Sequence, residues 1–168
     1  MTQDIDPTFL NTLLQIHDRL VETAVLWVVT GSLGMTLQGV PVAVHDIDLQ
    51  TDVAGAYEIE RIFADHVTRP VTFSTAKAIR SHFGALELNS IKVEIMGDVE
   101  KQLGNGRWQP PPNLQQHRQF INSQNRQIPV LDLVYECDAY EKMGRTNKAA
   151  MLRQWAMLRQ WLSQNPKV

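Results

Sequence analysis

The chain has 168 residues, is 43% hydrophobic and 20% charged, and carries a net charge of −2. Such a length implies one domain, residues 1–168, able to bury a core without covalent staples, and the near-neutral balance excludes a global basic field for nucleic acid. The single cysteine, Cys137, excludes an internal disulfide framework and a cysteine-based zinc site, and it fits a reducing, cytoplasmic setting.

The elements follow in chain order. Pro7 opens an amphipathic pattern in which Phe9, Leu10, Leu13, Leu14, Leu20 and Val21 recur at helical spacing, so residues 7–22 read as a helix. The apolar run Leu26-Trp27-Val28-Val29 reads as a buried strand, and Gly31-Ser32 as the turn into a short helix over 33–38. A second strand is expected over 46–51, a helix over 54–65 and a short strand over 71–74. Residues 83–88 and 91–96 flank Asn89-Ser90 as a β-hairpin. In its second arm Ile91, Val93 and Ile95 share one face, and Lys92, Glu94 and Met96 the other. Residues 97–113, with Gly104, Gly106 and three consecutive prolines, read as a loop. Extended segments at 120–121 and 128–130 precede helices at about 131–143 and 146–163, split at Gly144. The core is thus expected over about 7–130, with the C-terminal helices over about 131–163.

The last helix contains a duplication, MLRQWA followed by MLRQWL. Six residues advance a helix by about 240°, so the copies cannot share a face. Met151, Leu152, Trp155, Leu158 and Leu162 form the expected core stripe, which leaves Met157 and Trp161 to meet a neighbouring element, a second subunit of a homodimer or a protein partner. Charge is also uneven. After Glu141 no acid remains, and the last 27 residues carry +6 against −8 for the rest. The N-terminal MTQDIDP lacks the basic and apolar regions of a signal peptide, and no run of 18 apolar residues is present to span a membrane.

The chemistry centres on Asp46 and Asp48. Two residues apart on a strand, they point the same way and repel unless a cation joins them, and hard carboxylate oxygens suit Mg²⁺. An ordinary solvated strand edge is the other reading of the pair. Gly31 lets backbone approach a phosphate, and Ser32 adds a hydroxyl donor. Glu94 is a third acid, on the face of its strand opposite Ile91, Val93 and Ile95, where it needs either solvent or a partner.

A hydrophobic strand, Gly31-Ser32, a short helix, and then Asp46-Ile47-Asp48-Leu49 resemble the signature of the nucleotidyltransferase superfamily related to DNA polymerase β. The stretch LQGVPVAVHDIDLQTD and the closing IPVLDLVYECDAYEKMGRTNKAAML are similar to its small bacterial branch, near the aminoglycoside and lincosamide nucleotidyltransferases. The resemblance implies an α/β (α+β) nucleotidyltransferase fold, a mixed β-sheet flanked by helices with C-terminal helices added. It implies Mg²⁺ or Mn²⁺ held by Asp46 and Asp48, with Glu94 completing the metal site or taking a hydroxyl proton. It further implies that Gly31 and Ser32 hold the β- and γ-phosphates of a nucleoside triphosphate while an NMP passes to a small-molecule or protein acceptor. Many relatives carry an arginine shortly before the first Asp. Here Val42-Ala43-Val44 stands there, and Arg145 and Lys148 are the cations expected to serve the triphosphate, Lys148 in the first turn of a helix capped by Thr146. The absent arginine leaves open an inactive member of the fold that acts as a binding or antitoxin-like partner.

Overall fold

A computed structural model describes residues 5–166. Met1–Asp4, most of the N-terminal stretch weighed as a leader, and Lys167 of the basic run lie outside the described residues. Helix α1 (Pro7–Leu20) starts where Asp6 accepts a hydrogen bond from the Thr8 N–H, with Pro7 in the first turn. Strand β1 (Trp27–Thr30) is buried throughout and leads directly into α2 (Gly31–Leu37), which begins two residues earlier than the sequence suggested. Then come β2 (Ile47–Thr51), α3 (Val53–Ile62), β3 (Val67–Ala76), β4 (Ile79–Leu88), β5 (Ile91–Gln102), β6 (Trp108–Gln109), α4 (Leu114–His117), β7 (Arg118–Ser123), β8 (Arg126–Leu131), α5 (Leu133–Lys142) and α6 (Thr146–Gln164).

The strands form one mixed sheet in the order β3-β4-β5-β2-β1-β8-β7, with β6 attached to β5. β2 pairs parallel with β5, and β1 parallel with β8; the other pairs are antiparallel. This is the α/β architecture expected from the sequence. Ile47 and Leu49 of β2 and Val93 and Ile95 of β5 join Leu13, Ile16, Leu20, Ala56 and Ile59 in the main core. The alternate residues of β2 and β5 therefore emerge on the opposite face, where the chemistry lies. A smaller cluster, Met35, Val40, Leu133, Cys137, Ala149 and Leu152, fastens α5 and α6 to α2. No helix among the described residues is long and apolar enough to cross a membrane.

Three expectations need correction. Residues 97–102 are not loop but the second half of β5, and β6 lies within the remainder. Gly97 and Asp98 look like a turn in sequence. In the fold the register against β4 shifts there, Asp98 takes φ +50°, and pairing resumes at Glu100 opposite Arg80, the mark of a β-bulge. A Cβ at Gly97 would lie 2.8 Å from the Asp52 carbonyl, so glycine there serves helix–strand contact rather than a turn. Strand β3 likewise runs well beyond 71–74 despite Pro70, because β3 is an edge strand and tolerates a missing donor. The core stripe of α6 is shorter than its apolar spacing suggested. Leu152 is fully buried, but Leu158 and Leu162 are as exposed as Trp161, and Met157 more so, because the described body ends beneath the helix's first half.

Candidate active site

Pairing of β2 with β5 sets Asp48 directly opposite Glu94, and pairing with β1 sets Thr30 opposite Asp48. Asp46, just before β2, shares the face of Asp48. Ligand oxygens of Asp46, Asp48 and Glu94 come within 4.8 Å of one another. The expected triad thus converges, although Asp48 and Glu94 are 46 positions apart in sequence.

Three carboxylates this close repel. Burial pushes the Asp48 carboxyl up to about 8, aided by the charges of Asp46 and Glu94 and a hydrogen bond with Glu94. Lys92, two residues before Glu94, answers part of that repulsion. Its Nζ lies 2.7 Å from Glu94 Oε1 and 3.3 Å from Asp46 Oδ2, and these bonds hold the ammonium above the ordinary lysine range, that to Glu94 most strongly. The sequence reading placed Lys92 on this face but gave it no part. The donor set is all carboxylate, which fits a hard cation such as Mg²⁺ or Mn²⁺.

Gly31 closes the other side. Its φ is +64°, and a Cβ on it would overlap Asp48 Oδ2. Backbone without a side chain is therefore required beside the acids. Ser32 is half-buried and does not line the cleft; its carbonyl accepts from the Thr36 hydroxyl at 2.9 Å.

A cleft of about 230 Å³ opens from Gly31, Asp48 and Glu94 toward α5. Arg145 lines it, and its guanidinium lies 5.7 Å from the Tyr140 ring centroid; Lys148 Nζ is 4.7 Å from the same ring. Both expected cations thus gather around Tyr140, but only Arg145 lines the cleft. The expected cap is absent: Arg145 occupies the capping position of α6 without a side-chain hydrogen bond, and Thr146 is already the first helical residue. Tyr140 is largely packed away, and burial pushes its phenol up to about 12, yet it also lines the cleft.

Sequence reasoning missed the deepest residue of the site. Glu136, on α5, is buried; its Oε1 accepts from the Thr30 hydroxyl and from the Gly31 N–H at 3.4 Å. Burial raises its carboxyl to about 7. In sequence it is one acid in a charged helical stretch, YECDAYEK, and nothing marks it as inward-facing.

A carboxylate cluster, a side-chain-free turn and flanking cations on a mixed sheet define the nucleotidyltransferase class. The profile of the aminoglycoside-2''-adenylyltransferase family matches residues 12–157, and the chain belongs to that family of NMP-transferring enzymes. It is 53% identical to a Thermotoga maritima protein, TM1012, described as a nucleotidyltransferase, and the two structures agree with a TM-score of 0.80 over 91% of this chain and 95% of that one. The fold is also that of ANT(2'')-Ia, solved in complex with adenylyl-2''-tobramycin, with a TM-score of 0.51 and 9% identity over 94% of this chain and 97% of that one. No curated protein matches the sequence.

Proposed function

We propose that this enzyme moves an NMP from a nucleoside triphosphate to a hydroxyl group of a small-molecule acceptor in a reaction that needs Mg²⁺ or Mn²⁺. The observation that carries the reading is the convergence of Asp46, Asp48 and Glu94 within 4.8 Å beside Gly31. These three side chains would hold the metal, which supplies charge neutralisation at the transferring phosphoryl group. Glu94 takes the acceptor's hydroxyl proton. The acceptor oxygen forms a bond to the α-phosphorus, the bond to the β-phosphate bridging oxygen breaks, and pyrophosphate leaves. Gly31 presents bare backbone to the β- and γ-phosphates, and Arg145 and Lys148 offset their charge. With a metal held there, Lys92 would have to release at least one carboxylate, and its ammonium would be free to meet a phosphate oxygen.

The family description names aminoglycosides, and ANT(2'')-Ia carries an adenylylated tobramycin, so aminoglycosides are the first acceptors to try. The test incubates each α-³²P-labelled NTP with Mg²⁺ or Mn²⁺ and a panel of aminoglycosides and other polyols, beside Asp46→Asn and Asp48→Asn. Label on an acceptor, abolished by either substitution and by chelation, is the expected result. Metal-independent labelling that persists in both variants would overturn the assignment.

A further inference from the structure

Two polar atoms near the cleft have no protein partner. Glu136 Oε2 and Gln50 Oε1 are buried and accept no hydrogen bond among the described residues. Both residues line the cleft that holds Asp48 and Glu94. Their other atoms are fixed: Glu136 Oε1 receives Thr30 and Gly31, and Gln50 Nε2 donates to Thr30 Oγ1 at 3.4 Å. The two free acceptors are therefore held by one shared anchor, Thr30. Buried acceptors left without donors are costly, and native proteins seldom keep them without a use.

We propose that Glu136 and Gln50 form a base-reading subsite that accepts the exocyclic amino group of the nucleotide's base. The inference rests on the nucleotidyltransferase reading of the adjoining carboxylates. Two observations select a nucleobase over an amino-sugar acceptor. The cleft is smaller than the roughly 300–1,000 Å³ of pockets for drug-sized ligands, so it suits one heterocycle rather than a whole antibiotic. Its walls include Tyr140, Met96 and Met143, which suit a flat apolar face. Charge does not discriminate, since the lining sets Lys101 and Arg145 beside Asp48, Glu94 and Glu136. Burial raises the Glu136 carboxyl to about 7 and Lys101 and Lys148 oppose that rise, so above pH 7 it is a carboxylate that only accepts.

The test compares bases that differ in that one group: CTP against UTP, and ATP against purine riboside 5′-triphosphate. Binding of each Mg²⁺ complex is measured by equilibrium dialysis without acceptor. In the wild type, the amino-bearing member of at least one pair binds at least about tenfold tighter, since a site built to receive a donor rejects the analogue lacking it. Glu136→Gln keeps an oxygen for Thr30 and Gly31 but sets an NH₂ where Oε2 was, so the preference falls to about one or reverses. Equal binding within both pairs, or a preference unchanged in Glu136→Gln, would overturn the subsite while leaving the nucleotide reading intact. Failure of every triphosphate to bind would remove both.

Discussion

Gly31 and Asp48 approach so closely that no side chain fits between them. The relationship ties the turn after β1 to the carboxylates of β2, and it makes residue 31 sensitive for two separate reasons. Gly31→Ala must strain a left-handed backbone and must displace Asp48. The variant is expected to lose roughly 1–3 kcal/mol of stability and most of its NMP transfer. Denaturant titration and a labelled-NTP assay check the two effects independently.

Asp48 should make the metal-free protein less stable as pH rises. Its native pKa, about 8, lies above the unfolded value of 3.8. The native state therefore holds a proton that the unfolded chain has released between these values. That contribution is complete below about pH 4 and is lost by about pH 8. Asp48→Asn is expected to flatten this dependence and to raise the melting temperature at pH 8 in the presence of chelator. Thermal scans from pH 5 to 8.5 would show it, and an unchanged pH slope would contradict it.

Metal binding should release a proton for the same reason. A protonated Asp48 must ionise to become a ligand, so Mg²⁺ or Mn²⁺ affinity is expected to rise about tenfold per pH unit below 8 and then level off. Calorimetry in two buffers of different ionisation enthalpy reads about one proton released per site at pH 7.

Glu136→Gln is expected to stabilise the ligand-free protein at pH 8. The native carboxyl titrates at about 7 against 4.5 unfolded. Its stabilising contribution is thus full below about pH 4.5 and gone above about 7, where a buried charge must be carried. The amide keeps an acceptor for Thr30 and Gly31 and carries no charge. The gain should be on the order of 1–3 kcal/mol at pH 8 and close to nil at pH 4.

Leu152 and Leu158 distinguish the packed and unpacked halves of α6. Leu152→Ala is expected to cost about 2–5 kcal/mol, and Leu158→Ala within about 0.5 kcal/mol of nothing, because the first is fully buried and the second is 43% exposed. Urea midpoints of the two variants decide it.

Much of the fold and the acid triad could be read from sequence because both depend on local pattern. Alternation in β5 assigns Glu94 to one face, and the same period joins Asp46 to Asp48. What periodicity cannot supply is the register between distant strands or the depth of a residue on a helix. Lys92 has the same alternation as Glu94, yet its role appears only when β5 lies beside β2. Glu136 looks like Glu141 in sequence, but one anchors the Thr30–Gly31 turn and the other bonds Arg153 at the surface. Gly97 reads as a loop because its use, contact with α3, is tertiary. Leu158 and Leu162 continue an apolar stripe past the point where the described body can cover them.

The parallel pairing of β2 with β5 has a consequence for how the chain acquires activity. The acids on the two strands share no local contact and meet only after a long loop is closed, with the α3–β4 segment in between. Closure of that kind is entropically late and slows folding. On the proposed metal-dependent reading, metal affinity would report completion of the central sheet. During refolding, Mn²⁺ capture should appear with the slowest structural phase, after helix signals have already returned, and a chain still emerging before Ile91 has no competent centre to damage or to poison.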